Sequence, residues 1–173
     1  MKECVTDALV LDIDDVGELD RLVYFYTPTL GKVVAKARSA RKITSKLASH
    51  LQPLGFSKVR LVEKNGVQVV DALLLRRLAK SREAVEFCQF IKEMTFENQP
   101  DRKLWLLVRK SFDDIKNGCF SYRPLIEALG FGPNFARCSI CQNKNVSYFS
   151  IKEQVFFCKR CALKTPKNEL ILF

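Results

Sequence analysis

The sequence predicts an α+β chain: an N-terminal five-stranded OB-fold β-barrel over 1–78, followed by a helical domain over 79–173 that carries a four-cysteine finger at 138–161. Three observations carry this prediction. The first 80 residues hold five runs rich in β-branched, aromatic and aliphatic residues, separated by turn chemistry. Beyond residue 80 the apolar residues recur at spacings of three and four, the period of a helix. Further on, Cys138-Ser-Ile-Cys141 and Cys158-Lys-Arg-Cys161 stand 16 residues apart.

The strands come first. Runs at 8–11 and 22–26 are separated by Asp14-Asp15-Val16-Gly17, a turn signal. A second turn at 27–31, with Pro28 and Gly31, leads into a third strand at 33–35. Residues 59–62 alternate polar and apolar, and 67–70 follow. Asn65-Gly66 joins these two, and both residues tolerate the positive φ that a tight hairpin requires. Residues 39–50, between the third and fourth strands, form a helical or loop insert with room for one short helix. Five strands with an insert after the third is the order of an OB-fold, a Greek-key barrel used for oligonucleotides. An SH3-like barrel is the nearest competitor.

Three helical faces follow. Val85, Phe87, Cys88, Phe90, Ile91 and Met94 form the first, broken at Asn98-Gln99-Pro100. Leu104, Leu107, Val108, Phe112 and Ile115 form the second, stopped by Asn117-Gly118. Leu125, Ile126 and Leu129 form a shorter third, with Gly130 placed as its cap. The boundary between the strand-rich and helical parts falls near 76–81.

The cysteine spacing is that of a zinc ribbon or knuckle. Two residues between thiols let one tight turn aim both sulfurs at a single ion, and a second such turn completes a tetrahedron. Residues 146–150 and 154–157 are expected hairpin strands between the two pairs. Cys138, Cys141, Cys158 and Cys161 would fill all four positions of one Zn²⁺, which makes the site structural rather than catalytic. Arg137, Lys159 and Arg160 beside them favour the thiolate form. Cys88 lies on a helical apolar face and reads as a small core residue, and Cys4 and Cys119 carry no motif.

Charge is the other signal. The chain of 173 residues has 29 Lys plus Arg, 19 Asp plus Glu, and a formal net charge of +10. Residues 32–64 hold nine basic groups against the single acid Glu63, a net of +8. They include Lys32, Lys36, Arg38, Arg41, Lys42, Lys46, Lys58 and Arg60. Residues 1–20 hold seven acids and one base. Clustering of one sign is the electrostatic footprint of a polyanion site. Four thiolates and one Zn²⁺ would subtract two charges, so the metal-bound chain would stand nearer +8.

Other classes are excluded or disfavoured. The longest stretch free of Asp, Glu, Lys and Arg is 11 residues, 47–57, far short of the ~20 that a membrane-spanning helix needs. The charged start of the sequence leaves no apolar secretory segment, so a cytoplasmic, nucleoid-associated protein is expected. No phosphate-binding loop, dinucleotide fingerprint, nucleophile elbow or zinc-protease helix motif is present. His50 is the only histidine. Its expected role is at the surface or in packing, and no enzyme is expected.

Several motifs together resemble one family. They are 17–21 (Gly-Glu-Leu-Asp-Arg), Gly31-Lys32, 35–42 (Ala-Lys-Ala-Arg-Ser-Ala-Arg-Lys) and 51–54 (Leu-Gln-Pro-Leu). Gly130-Phe131-Gly132-Pro133, the two Cys-x-x-Cys pairs and Phe149-Ser150 follow in order. This pattern resembles the bacterial RecO family of DNA repair and recombination mediators. The resemblance implies an OB-fold, a helical domain and a zinc finger. It also implies a non-catalytic protein that binds single- and double-stranded DNA and anneals complementary strands. Its implied partners are RecR and the single-stranded-DNA-binding protein, with which it helps load the recombinase RecA. The basic stretch from Lys32 to Lys46 would lie on the DNA-binding side.

Two expectations about mechanism complete the reading. Lysine and arginine would neutralise phosphates and release counterions. Tyr24, Phe25, Tyr26 or Phe56 would offer rings for base stacking, with burial the natural fate of Phe25. The alternative is a protein–protein adaptor that docks RecR or single-stranded-DNA-binding protein through its helical and zinc part, with little DNA binding of its own. A ribosome- or transcription-associated OB and zinc-ribbon protein is a third reading.

Overall fold

A computed structural model describes residues 3–166 and 170–173. The chain divides into two compact units, Met1–Trp105 and Leu106–Phe173. The first unit runs on past residue 78, where the strand-rich part of the sequence ends. The reason is packing: the first helix and the first turn of the second lie against the barrel and belong to it.

Five strands build the first unit: β1 (Glu3–Val16), β2 (Asp20–Thr27), β3 (Gly31–Ala37), β4 (Gly55–Glu63) and β5 (Val67–Arg77). They close into a barrel in the order β1-β2-β3-β5-β4. Closure comes from parallel pairing of β3 with β5 at Lys36 and Gln68, while the other pairings are antiparallel. The strands run longer than the apolar runs suggested. Asp7, Asp12, Asp14 and Asp15 interrupt the apolar pattern of β1 yet remain in its ladder. A bulge between Val10 and Asp12 lets β1 bend and serve two neighbours. The expected hairpin at Asn65-Gly66 is present, with φ of 50° and 98°.

Alternation sorts the side chains. Ala8, Val10, Val23, Phe25, Val33, Ala35, Val59 and Leu61 fill the barrel interior. Leu9 and Leu11 face outward yet are buried, because a helix covers this side of β1. That helix is α1 (Arg82–Met94), and the Ser81 side chain caps it by accepting from the Ala84 N–H. It buries Phe87, Phe90 and Ile91. Trp105 then covers Tyr26 and Phe56, with ring centroids 6.1 and 5.5 Å away.

Of the two forms open to 39–50, helix or loop, the chain takes the loop. Residues 38–54 run as successive turns, closed by bonds such as Ser45 N–H to the Lys42 carbonyl and Leu51 N–H to the Leu47 carbonyl. Ala40, Leu47 and Leu51 drop into the barrel cluster. The segment thus closes one end of the barrel with side chains spaced for that task. Ser39, at φ 53°, bends the chain where a helix would have to start.

In the second unit, the part of α2 (Arg102–Asn117) from Leu106 onward and α3 (Arg123–Ala128) precede the finger. There β6 (Tyr148–Ser150) and β7 (Val155–Phe157) form the expected hairpin. A short helix, α4 (Lys159–Ala162), and a third strand, β8 (Leu170–Leu172), complete it. The sheet order is β7-β6-β8. Sequence reading missed α4 and β8, since runs of three and four residues carry no readable period.

Candidate metal centre and nucleic-acid interface

The four cysteines converge. The sulfurs of Cys138, Cys141, Cys158 and Cys161 all lie within 4.8 Å of one another, and Cys141 and Cys158 are 3.6 Å apart. A tetrahedron of sulfurs around one Zn²⁺ at ~2.3 Å has edges of about 3.8 Å, so the spacing suits a metal and is far from a disulfide. Two local turns create this. The Gln142 N–H closes on the Cys138 carbonyl at 2.9 Å, with Gln142 at φ 59°. Cys158 sits at the start of α4, where the Ala162 N–H reaches its carbonyl at 3.0 Å.

The surroundings favour thiolate. Burial opposes ionisation of Cys138, yet the backbone N–H groups of Cys141, Cys158 and Ile140 hold its thiol down at about 6. The Cys161 N–H likewise lowers Cys158. Burial and the neighbouring sulfurs push Cys161 up to about 12. Like charges packed this closely cannot all ionise alone, and a divalent cation is what relieves them. Phe157 and Ala162, with Val146, Tyr148 and Leu170, shield the cluster.

The basic residues are placed less uniformly than their sequence clustering suggested. Lys36 pairs with Asp20 at 2.9 Å, Arg41 with Asp15 at 3.3 Å, and Arg60 with Glu3 at 3.3 Å. Lys32 is half-buried and donates from Nζ to the Lys92 carbonyl at 2.7 Å, with burial lowering its pKa. It therefore ties the end of α1 to the barrel. Lys58 lies opposite Asp7 on β1, and Arg60 lies opposite Asp71 on β5. The acid-rich start of the sequence is thus spent on neutralising part of the basic stretch.

Arg38, Lys42 and Lys46 are different. All three are exposed on the 38–54 turns and have no ion-pair partner among the described residues, although the Arg38 charge helps hold the Asp20 carboxyl down from a distance. The base of this segment is pinned. The Ser39 N–H donates to Asp20 at 2.8 Å, the Arg41 N–H to the Leu19 carbonyl at 2.9 Å, and the Arg41 guanidinium to the Gly17 carbonyl at 3.0 Å. The Ser39 bond, helped by Lys36, holds the Asp20 carboxyl below its usual range.

The stacking expectation is corrected. Phe25 lies inside the barrel, and Tyr26 and Phe56 lie under Trp105. Tyr24 donates its hydroxyl to Asp14 at 2.8 Å and carries the Lys92 ammonium 4.0 Å over its ring. Lys92 is itself anchored to Asp12 at 2.7 Å. Phe25, Tyr26 and Phe56 therefore present no open face, and Tyr24 is half-buried with one face taken by Lys92. His50 is structural: its Nδ1 accepts from the Leu74 N–H at 3.2 Å, and its carbonyl accepts from Ser57 Oγ at 2.7 Å.

The family profile described as recombination protein O N terminal matches residues 1–77, and the C-terminal profile matches 78–172. The chain is 30% identical to the DNA repair protein RecO of Clostridium novyi, over 90% of this chain and 68% of that protein. The chain belongs to the RecO family. Further RecO relatives are those of Dehalococcoides mccartyi, at 28% over 90% of this chain and 69% of theirs, and Bacillus velezensis, at 26% over 92% and 69%. The RecO family is named for recombination and DNA repair, and its N-terminal OB-fold is the barrel described above. Among the described residues, no helix is long and apolar enough to cross a membrane.

Proposed function

We propose that the chain is a non-catalytic DNA-binding protein of recombinational repair. It holds single- and double-stranded DNA by charge, anneals complementary strands, and acts with RecR to load RecA onto strands covered by single-stranded-DNA-binding protein. The observation that carries the reading is the pinned turn segment with Arg38, Lys42 and Lys46 exposed and unpaired among the described residues. Cations free of intramolecular acids are the ones that gain most from phosphates, because no ion pair must be broken first.

Annealing makes and breaks no covalent bond. Two polyanions must be held together while their repulsion is screened, and exposed cations on a pinned turn segment do this. Lys36, Arg41, Lys58 and Arg60 extend the positive field at lower strength, since acids stand beside them. Lys32 supports the fold rather than the contact. In the finger, Cys138, Cys141, Cys158 and Cys161 hold one structural Zn²⁺, whose role is to order the hairpin.

The test is strand annealing by purified chain, with and without single-stranded-DNA-binding protein on the strands. Acceleration by the chain alone, lost as salt rises, is expected. No acceleration, together with tight binding to RecR, would replace this reading with that of an adaptor.

A further inference from the structure

Phe25, Tyr26 and Phe56 of the barrel are buried, and most described rings of the second unit pack on one another. Phe131 meets Phe149 at 5.0 Å, Phe149 meets Phe156 at 5.0 Å, and Phe156 meets Phe173 at 5.4 Å. Phe135 is the exception. It is 93% exposed. Its loop is fixed by two turns, with the Phe135 N–H on the Gly132 carbonyl at 3.1 Å and the Ala136 N–H on the Pro133 carbonyl at 3.3 Å. A ring this bare contributes little to the core, yet its backbone is held in place.

The ring borders an open cavity of about 560 Å³ lined by Phe131, Phe156, Arg137, Ser139 and Gln154. Arg137 is the only charged residue of that lining, which holds no carboxylate. Ser139 and Gln154 side chains have no hydrogen-bond partner among the described residues. An exposed aromatic face, one cation and two uncommitted amide or hydroxyl groups match an unpaired base with its phosphate. Bases stack on aromatic rings whatever their identity, and a neighbouring arginine takes the backbone.

We infer that Phe135 and Arg137 form a stacking site for one unpaired nucleobase of single-stranded nucleic acid, beside the zinc-binding hairpin. This rests on the reading that the chain binds nucleic acid, and it assigns single-strand preference to the second unit. Duplex DNA, whose bases are already stacked, gains nothing from the ring.

The experiment measures binding of the zinc-loaded chain to oligothymidine and to a duplex of equal charge. Phe135→Ala should weaken oligothymidine binding by on the order of tenfold and leave duplex binding unchanged. Phe135→Trp should retain binding, with fluorescence quenched on adding oligothymidine beyond any change at Trp105. Equal loss for duplex and single strand, or full retention by Phe135→Leu, would overturn the inference. Retention by leucine would mean an apolar docking point rather than a stacking ring. Since Phe135 is exposed, its variants keep the fold, and unchanged zinc content and Trp105 emission verify this. If the wild-type chain binds neither ligand, the functional reading itself fails. If it binds both and Phe135→Ala changes nothing, only the stacking site fails.

Discussion

Gly31 opens β3 with φ +69°, and a Cβ built there would lie 2.3 Å from the Gln99 carbonyl oxygen and 2.9 Å from the Pro100 nitrogen. Those atoms are backbone, so no side-chain rotation relieves the clash. Gly31→Ala must therefore move the 97–100 segment by about 1 Å to reach ordinary contact. That movement threatens the bond from the Asn98 N–H to the Lys32 carbonyl at 3.0 Å, worth about 1 kcal/mol. The left-handed backbone adds about 1 kcal/mol for any residue with a Cβ. Overpacking against immobile atoms typically adds about 1–3 kcal/mol. The sum is a loss of about 3–5 kcal/mol. Gly17 supplies the control, with φ +59° and nothing within 4 Å of a built Cβ. Gly17→Ala should cost only the backbone part, about 1 kcal/mol. Urea unfolding followed by Trp105 reads both, since this is the only tryptophan and it is buried against Tyr26 and Phe56. The two variants should also differ in melting temperature by at least ~8 °C. If Gly31→Ala falls within about 1 kcal/mol of Gly17→Ala, the close approach of β3 to the 97–100 segment is refuted.

Elemental analysis should return one zinc per chain, and Cys158→Ser should lose most of it. Structural zinc contributes about 10–16 kcal/mol of apparent binding energy in finger peptides, so amides of Tyr148–Ser150 and Val155–Phe157 should then exchange freely while Trp105 emission holds. Asp20 has its pKa lowered below 3.8, so it stabilises the fold above the ordinary carboxylate range and loses that contribution as pH falls through its folded value. Asp20→Asn should lower the urea midpoint at pH 7, and its deficit should shrink at pH 3. Burial pushes the Cys88 thiol up to about 12. In native protein at pH 8 a thiol reagent should label exposed Cys119 and spare Cys88 until denaturant is added; early labelling of Cys88 would contradict its packing beneath β1.

The barrel was legible where local chemistry and tertiary role coincide. Asn65-Gly66 demanded a hairpin, and alternation in β4 announced its inward and outward faces. The turns at 38–54 were not legible. Ala40, Leu47 and Leu51 are spaced much like a helix stripe, but the barrel end takes them one by one. The four-cysteine cluster followed from spacing alone, because thiols in such pairs have few other uses. The charge cluster was visible, but its division was not. Which cations are bound to acids depends on register, such as Glu3 of β1 beside Arg60 of β4, and register is a tertiary property. The covering of Tyr26 and Phe56 was likewise hidden, since the covering residue, Trp105, stands 49 residues beyond Phe56 in sequence.

The central claim is that unpaired cations on the 38–54 turns hold nucleic acid through its phosphates. It is tested most directly by the slope of log Kobs against log salt for a mixed-sequence single strand. The account predicts a steep negative slope that loses about 2 units in the triple variant Arg38→Gln, Lys42→Gln, Lys46→Gln, at about 0.7 unit for each lost contact. A flat slope for the wild-type chain, or one that the triple variant leaves unchanged, would contradict it.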